Sequence, residues 1–276
     1  MVSLPFSDYC EPLFDSPEDF AFLLDYLQAE IEHQEWKYLE VRPLNDSVDA
    51  VRKEDGFRAA KRYYLHRLDI RPNADAIFRS LNKKSIQRRV SRAKQTGLVC
   101  ERGRSAKLLK DFYHLMLLTR SRHHLPPQPS TWFQNLADSM GNSLEIRVAY
   151  KGEVPVSAVL TLRFRDVVYY KYGCSDVRFK SLGATSLLLW QALLDSKAEG
   201  ANTLDLGRSD IDNEGLIVFK NHWVRDYTQI MYWRYPAPDS VAVREDWKLR
   251  MVKHACAKMP QRLLAMTGNL LYRHIG

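Results

Sequence analysis

The sequence has few cysteines, and none has the spacing that binds zinc. The four are isolated: Cys10, Cys100, Cys174 and Cys256. We therefore expect no metal site and no disulfide framework, as is usual in a reducing compartment. The first residues lack the basic start and long apolar core of a secretory signal, and no window approaches the roughly 20 apolar residues of a membrane span. These absences predict a cytoplasmic protein.

Several catalytic motifs are also missing. The sequence contains no Ser-His-Asp order, no HExxH zinc motif, no Walker A loop and no GxGxxG loop, which argues against a hydrolase, a metalloprotease, an NTPase or a dehydrogenase. With 276 residues, 45% of them hydrophobic, the chain can hold one large or two modest domains with a normal core.

Positive charge predominates, with 41 Lys and Arg against 33 Asp and Glu and a formal charge of +8. This balance favours polyanionic partners: nucleic acid, a phosphate-rich nucleotide or an anionic membrane face. Residues 74–95 form a predicted helix without an acid after Asp75. Lys84, Arg88 and Arg92 follow at four-residue spacing, so we expect them along one exposed edge. They either contact phosphates or form a solvated face over the core.

The best helical pattern, residues 182–199, follows a strand that stops at Gly173. A turn of small residues lies between them. Such a turn leaves several backbone N–H groups of the helix start unpaired, which suits phosphate or pyrophosphate. We expect Gly183 to let the backbone approach this ligand and Thr185 or Ser186 to cap or donate. The predicted donor-binding residues are Lys180, Gly183, Ala184, Thr185 and Ser186.

A polar segment then follows the next predicted strand, residues 203–207. Asp205 is expected to cap the loop or pair with Arg208, and Asp210 and Glu214 are eligible to accept a proton. Three tyrosines on the strand before Gly173 can present a hydroxyl to a substrate. Among them, we predict Tyr172 as a site residue. Lys220 lies on a predicted helix over residues 215–222, where a lysine is usually a surface residue.

This segment resembles the GNAT acyltransferase superfamily and, within it, the FemAB-like branch related to the peptidoglycan interpeptide-bridge aminoacyltransferases. Lys180, Gly183 and Thr185 stand at the first, fourth and sixth positions of a GNAT-like pyrophosphate pattern. The more specific likeness comes from these segments: Asp205-Leu-Gly-Arg-Ser-Asp, Asn213-Glu-Gly-Leu, Phe219-Lys220 with Trp223, residues 88–97 and Pro126-Pro-Gln-Pro.

The resemblance implies an α+β fold with a GNAT-like mixed sheet flanked by helices, preceded by a truncated or reduced second GNAT-like half. Residues 1–95 are expected to form this partial half with the basic helix. Residues 96–237 form the acyltransferase domain, and residues 238–276 form a helical tail. The tail's apolar face either packs onto the first half or touches the inner face of a membrane.

The resemblance also implies an N-acyltransferase. Lys220 is expected near the donor's reacting end, to stabilise negative charge or grip the donor. An acyl-CoA donor is favoured, with no tightly bound cofactor, and the acceptor is an amine on a cell-envelope sugar or peptide precursor, free or lipid-linked. Two alternatives stay open: an aminoacyl-tRNA donor held by the face of Arg88 and Arg92, and a non-catalytic binder of nucleic acid or envelope components.

Overall fold

A computed structural model of the protein describes residues 1–4, 7–45, 56–236, 259 and 261–272. The described residues divide into two compact units. The first takes in those of Met1–His66, Arg208–Phe219 and Asp226–Arg244, and the second those of Arg67–Gly207, Lys220–Arg225 and Glu245–Gly276. The predicted division at residues 95 and 237 stays a prediction.

Strands and helices alternate irregularly, as in an α+β protein. The strands are β1 (Leu39–Val41), β2 (Arg58–Asp69), β3 (Val99–Gly103), β4 (Leu144–Lys151), β5 (Val154–Phe164), β6 (Val167–Ser175), β7 (Thr203–Asp210) and β8 (Thr228–Tyr235). The helices are α1 (Pro17–His33), α2 (Ala74–Ser80), α3 (Arg88–Gln95), α4 (Ala106–Arg122), α5 (Ser130–Met140), α6 (Ala184–Ala198), α7 (Glu214–Asn221) and α8 (Gln261–Leu271).

The first unit contains the strand order β1-β8-β2, with both pairings antiparallel. Helix α1 starts at a capping box, because the Ser16 hydroxyl accepts the Asp19 N–H and the Asp19 carboxylate accepts the Ser16 N–H. Its apolar side, with Phe20 and Leu24, packs in one core cluster with Trp233 of β8.

The second unit contains the strand order β7-β6-β5-β4-β3. Strands β3 to β6 pair antiparallel, whereas β6 and β7 are parallel and α6 connects them. Alternate residues of β4 face opposite sides, so that Ile146 and Val148 pack with α4 and α5 while Ala149 packs with α6. The predicted mixed sheet flanked by helices is confirmed.

The basic segment is not the single helix that residues 74–95 predict. It consists of α2, a π-helical turn at Lys83–Gln87 and α3. The Asn82 side chain accepts the Ser85 N–H and thereby caps the start of a new helical segment after α2. Arg88 and Arg92 therefore share one helix, and Lys84 lies in the wider turn before it.

Helix α8 lies in the segment predicted as a helical tail, and residues 240–258 of that segment lie outside the described residues. Helix α8 packs on α4, and Leu264 on this side is fully buried. Gly268 is packed so tightly against the carbonyl of Pro127 that a Cβ would clash with this oxygen. The close approach requires glycine at this position.

We predict that Gly268→Ala lowers the free energy of unfolding, although alanine is intrinsically better than glycine in a helix by about 1 kcal/mol. The added Cβ must push α8 away from Pro127. Gly215→Ala in α7 is the matched control, because a Cβ there meets no atom within 4 Å. The control should be neutral or slightly stabilising in urea unfolding; equal behaviour of the two variants would contradict the packing of α8.

Candidate active site

The candidate site starts where β6 and β7 stop pairing. Their last register pair is Tyr169 with Asp205, and β6 continues to Ser175. A register shift within β6 between Tyr170 and Tyr172 brings the two side chains to different clusters: Tyr170 packs with α6 and Tyr172 with Phe112 and Phe133. The predicted site residue Tyr172 thus lies among the aromatic rings next to α4 and α5.

The turn before α6 is a 3₁₀ helix, Val177–Leu182, that ends at Gly183 with φ +75°. Lys180 is exposed on this turn. In the described part of the chain, the backbone N–H groups of Ala184, Thr185 and Ser186 have no acceptor, and the first helical bond runs from Leu187 to Gly183. The positive end of the helix dipole and the unpaired N–H donors lie together here, which is an arrangement that suits an anion.

The hydroxyl of Thr185 already has a partner. The Ser157 hydroxyl donates to the carbonyl of Cys174 at 3.1 Å. Since a serine hydroxyl has one proton, Thr185 must donate in its 2.8 Å contact with Ser157. This contact leaves the backbone N–H groups, rather than the Thr185 hydroxyl, as the donors for a ligand. Ser186 is buried.

Helix α3 lies directly against this turn. The carbonyl oxygen of Arg89 would be only 2.6 Å from a Cβ on Gly183, and the Arg92 guanidinium donates to the Ser181 carbonyl at 3.3 Å. Gly183 is therefore required for helix packing, and the backbone of Arg89, rather than a ligand, lies against Gly183 itself. Lys84, Arg88 and Arg92 are exposed, as predicted. The two predicted phosphate-binding segments thus form one basic region.

Lys220 is buried rather than at the surface, with 3% of its area exposed. Its ammonium donates to the Gly207 carbonyl at 2.7 Å. Gly207 has φ +72° within β7, and its N–H donates to Asp205 at 2.6 Å. The other carboxylate oxygen of buried Asp205 faces Arg67 at 3.5 Å. Two opposite charges thus fix the sharp bend at Gly207.

Arg208 lies in the first unit, over the ring of Tyr63 at 4.0 Å and 3.6 Å from Asp8. The expected cap role of Asp205 is confirmed, because it accepts the Gly207 N–H. Asp210 ends β7 and Glu214 starts α7, and both are exposed in the first unit.

His222 is not among the site residues that the sequence motifs predict. Its Nε2 lies 3.4 Å from the Ser85 hydroxyl of the π-helical turn. Burial, together with the positive charge of Arg89, lowers the pKa of His222, so that a neutral imidazole able to accept a proton predominates near pH 7. Its position two residues after Lys220 is the one sequence signal that could have found it. Nothing in the sequence indicates the contacts of Arg67 and Arg89.

Cys174 serves the core. It is buried between Phe112 and Ala158, to whose carbonyls its thiol lies within 3.7 Å, and burial raises its pKa. Because burial disfavours the reactive thiolate form, this thiol is inert. Across the described ranges, no group of three His, Cys, Asp or Glu could hold a metal ion. None of the described helices is long and apolar enough to cross a membrane.

Family comparison identifies the class of protein. The acetyltransferase (GNAT) domain family matches residues 80–220, just over half of the chain. This range includes β3 to β7, the start of α6 and the buried Lys220. The chain belongs to the GNAT acetyltransferase family, as the resemblance predicts. Among curated proteins, none matches it significantly.

Solved structures support the FemAB-like resemblance at the level of the fold. FemX matches with a TM-score of 0.67 at 15% identity, over 84% of this chain and 82% of FemX. The C-terminal domain of a putative lysylphosphatidylglycerol synthetase from Agrobacterium fabrum matches with 0.61 at 12% identity, over 85% and 79%. L-PGS from Bacillus licheniformis matches with 0.58 at 11% identity, over 88% and 80%.

We predict that Gly183→Ala destabilises the protein and weakens donor binding together. The substitution forces a side chain into the left-handed region, at about 1–2 kcal/mol, and also displaces Arg89. Gly152→Ala is the control, since Gly152 has φ +60° but a Cβ there contacts nothing within 4 Å. Thermal unfolding with and without donor should show a larger loss for Gly183→Ala; an equal loss would mean that the α3–α6 contact is unimportant.

Proposed function

We propose that this GNAT protein is an N-acyltransferase that transfers an acyl group from acyl-CoA to an amine of a cell-envelope sugar or peptide precursor. The donor's phosphates bind at the start of α6, and α3 supplies the compensating positive charge. The acceptor carries its amine on a free or lipid-linked precursor. The protein acts in the cytoplasm.

The observation that carries this proposal is the contact of α3 with the start of α6. Unpaired N–H groups of Ala184, Thr185 and Ser186 supply hydrogen bonds of the geometry that phosphate oxygens accept. Arg92 is held beside them by the Ser181 carbonyl. A helix start alone attracts anions weakly, whereas a helix start with neighbouring guanidinium groups suits a pyrophosphate.

The reaction needs an oriented donor and a route for one proton. The acceptor nitrogen attacks the acyl carbonyl carbon, and a tetrahedral intermediate forms with negative charge on its oxygen. The carbon–sulfur bond then breaks, and the amine proton passes through a base to the departing thiolate, so that CoA leaves as the thiol. Lys220 contributes positive charge from a buried position, where its field is weakly screened. Base candidates are Asp210, Glu214 and His222, and Tyr172 remains a candidate contact for the acceptor or the leaving group.

A second candidate donor is aminoacyl-tRNA, and the charge of the basic region favours it. Residues 83–95 contain six cations, Lys83, Lys84, Arg88, Arg89, Arg92 and Lys94, and no acid. A basic run of this length can follow several phosphates of an acceptor stem. The reaction at the carbonyl would be the same, with a carbon–oxygen bond to the ribose breaking in place of the thioester bond.

We predict that Lys220→Met lowers kcat strongly and costs about 1–3 kcal/mol of stability, because the Gly207 carbonyl loses its buried donor. Lys197→Met is the control: Lys197 also donates to backbone carbonyls, of Ile70 and Arg71, away from the candidate site. Both variants should lose stability, but only Lys220→Met should lose turnover at a temperature where it is folded. Normal turnover of folded Lys220→Met would exclude the proposed role.

Donor identity is tested by thermal unfolding with CoA, acyl-CoAs, and charged or uncharged tRNA. A donor at about 100 times its Kd adds roughly 2.7 kcal/mol of stability. Arg92→Glu should weaken binding by about tenfold or more, and Lys94→Glu much less, since these side chains point to different sides of α3. A shift with acyl-CoA supports the first donor, and a shift with tRNA alone supports the second. The absence of any shift contradicts both.

A further inference from the structure

A tight turn holds the backbone that follows the buried Lys220. The N–H groups of Trp223 and Val224 both donate to the Lys220 carbonyl, at 2.9 and 3.0 Å, and the Trp223 side chain is buried. Bonds of this kind tighten the last turn of a helix. A contact made by His222, which lies within this turn, therefore bears directly on the position of Lys220.

His222 joins this turn to the start of the basic region. Its carbonyl accepts the Asn82 N–H at 3.0 Å, and its Nε2 lies 3.4 Å from the Ser85 hydroxyl. The Asn82 side chain in turn accepts the Ser85 N–H at 2.9 Å. Asn82, Ser85 and His222 are thus linked in a closed set of three hydrogen bonds.

The π-helical turn that contains Ser85 is a firm support for the imidazole. The N–H groups of Ile86 and Gln87 donate to the Asn82 carbonyl, at 2.9 and 3.2 Å, and the Gln87 side chain donates to the Leu81 carbonyl at 2.8 Å. Ile86 is fully buried, and α3 begins directly after Gln87. The turn therefore links His222 to the helix that carries the exposed cations.

Lys220 points in another direction, to the bend in β7. Residues two apart in a helical turn do not face each other. The Lys220 ammonium donates to the Gly207 carbonyl at 2.7 Å, whereas the His222 imidazole contacts Ser85. Holding a long lysine side chain in one position is entropically unfavourable. A backbone that is fixed through His222 restricts the positions that the Lys220 ammonium can reach.

We propose that His222 is a positioning residue, which holds the turn after Lys220 against Ser85 and thereby keeps the Lys220 ammonium at the bend in β7. A neutral imidazole can accept the hydrogen bond of the Ser85 hydroxyl at Nε2. The effect on turnover rests on the proposed function, in which Lys220 supplies positive charge. In this role His222 holds Lys220 in place and does not take the amine proton.

Hydrogen exchange at the Gly207 amide, followed by NMR on the full chain, tests the positioning without donor or acceptor. Lys220→Met removes the ammonium itself and sets the full effect. His222→Leu and Ser85→Ala should each speed Gly207 exchange by about fivefold or more, since each removes one hydrogen bond of the support. His222→Gln should exchange more slowly than His222→Leu, because the Gln side-chain amide can reach the place of Nε2.

Ser80→Ala is the matched control. The Ser80 hydroxyl donates to the Ile77 carbonyl at 2.7 Å within its own helix, α2. Its loss removes a serine hydrogen bond close to the basic region without touching His222. Gly207 exchange should therefore stay at the rate of the unaltered protein.

Turnover separates positioning from proton transfer. At a temperature where the variants are folded, His222→Leu and Ser85→Ala should lower kcat by about fivefold or more, and His222→Gln should regain most of this loss. In a Lys220→Met background, Ser85→Ala should lower kcat no further, since residues that act through one another are not additive.

Two results would overturn the positioning role. One is Gly207 exchange in His222→Leu and Ser85→Ala that equals the exchange of the Ser80→Ala control. The other is equally low turnover of His222→Gln and His222→Leu, which would identify the imidazole as the base. If Gly207 exchange responds as expected while even the unaltered protein transfers no acyl group, the proposed function fails and the positioning of Lys220 stands.

Discussion

The contact between Gly183 and the backbone of Arg89 is the constraint on which the candidate site depends. Only a residue without a Cβ can hold φ +75° and admit the Arg89 carbonyl. The contact brings a helix start with unpaired N–H groups next to a helix of exposed cations. Neither feature alone is a strong anion site, and only the structure shows that the two lie side by side.

The bend at Gly207 within β7 is held by a second set of buried polar contacts. Lys220 and Asp205 bind the carbonyl and the N–H of the same residue, Gly207. Burying a charge lowers the free energy of unfolding unless the charge is paired and hydrogen-bonded. Here the hydrogen bonds of the two buried charges maintain a bend beyond the last paired residues of β6 and β7. The hydrogen bond from Lys220 to the Gly207 carbonyl compensates for burying this lysine, and a source of positive charge for the reaction is its proposed second role.

The sequence predicts regular elements well and long-range contacts poorly. The meander of β4, β5 and β6 and the helix α6 follow from apolar periodicity and short turns, which are local signals. The break at Asn82 depends on one side-chain cap that competes with a helical pattern. The small residues before α6 also indicate the turn at 183–186 from local chemistry. No local signal shows that Gly183 faces Arg89 or that Asp205 pairs with Arg67, because these partners are distant in the chain.

Amide NMR during a donor titration tests whether the donor's phosphates bind at the start of α6. We predict that the N–H resonances of Ala184, Thr185 and Ser186 shift together as CoA, acyl-CoA or aminoacyl-tRNA binds, since new hydrogen bonds to phosphate oxygens act on these protons. Resonances of α3 near Arg92 should follow at the same concentrations. Saturable binding of a donor that leaves these three amides unshifted would show that the donor's phosphates bind elsewhere.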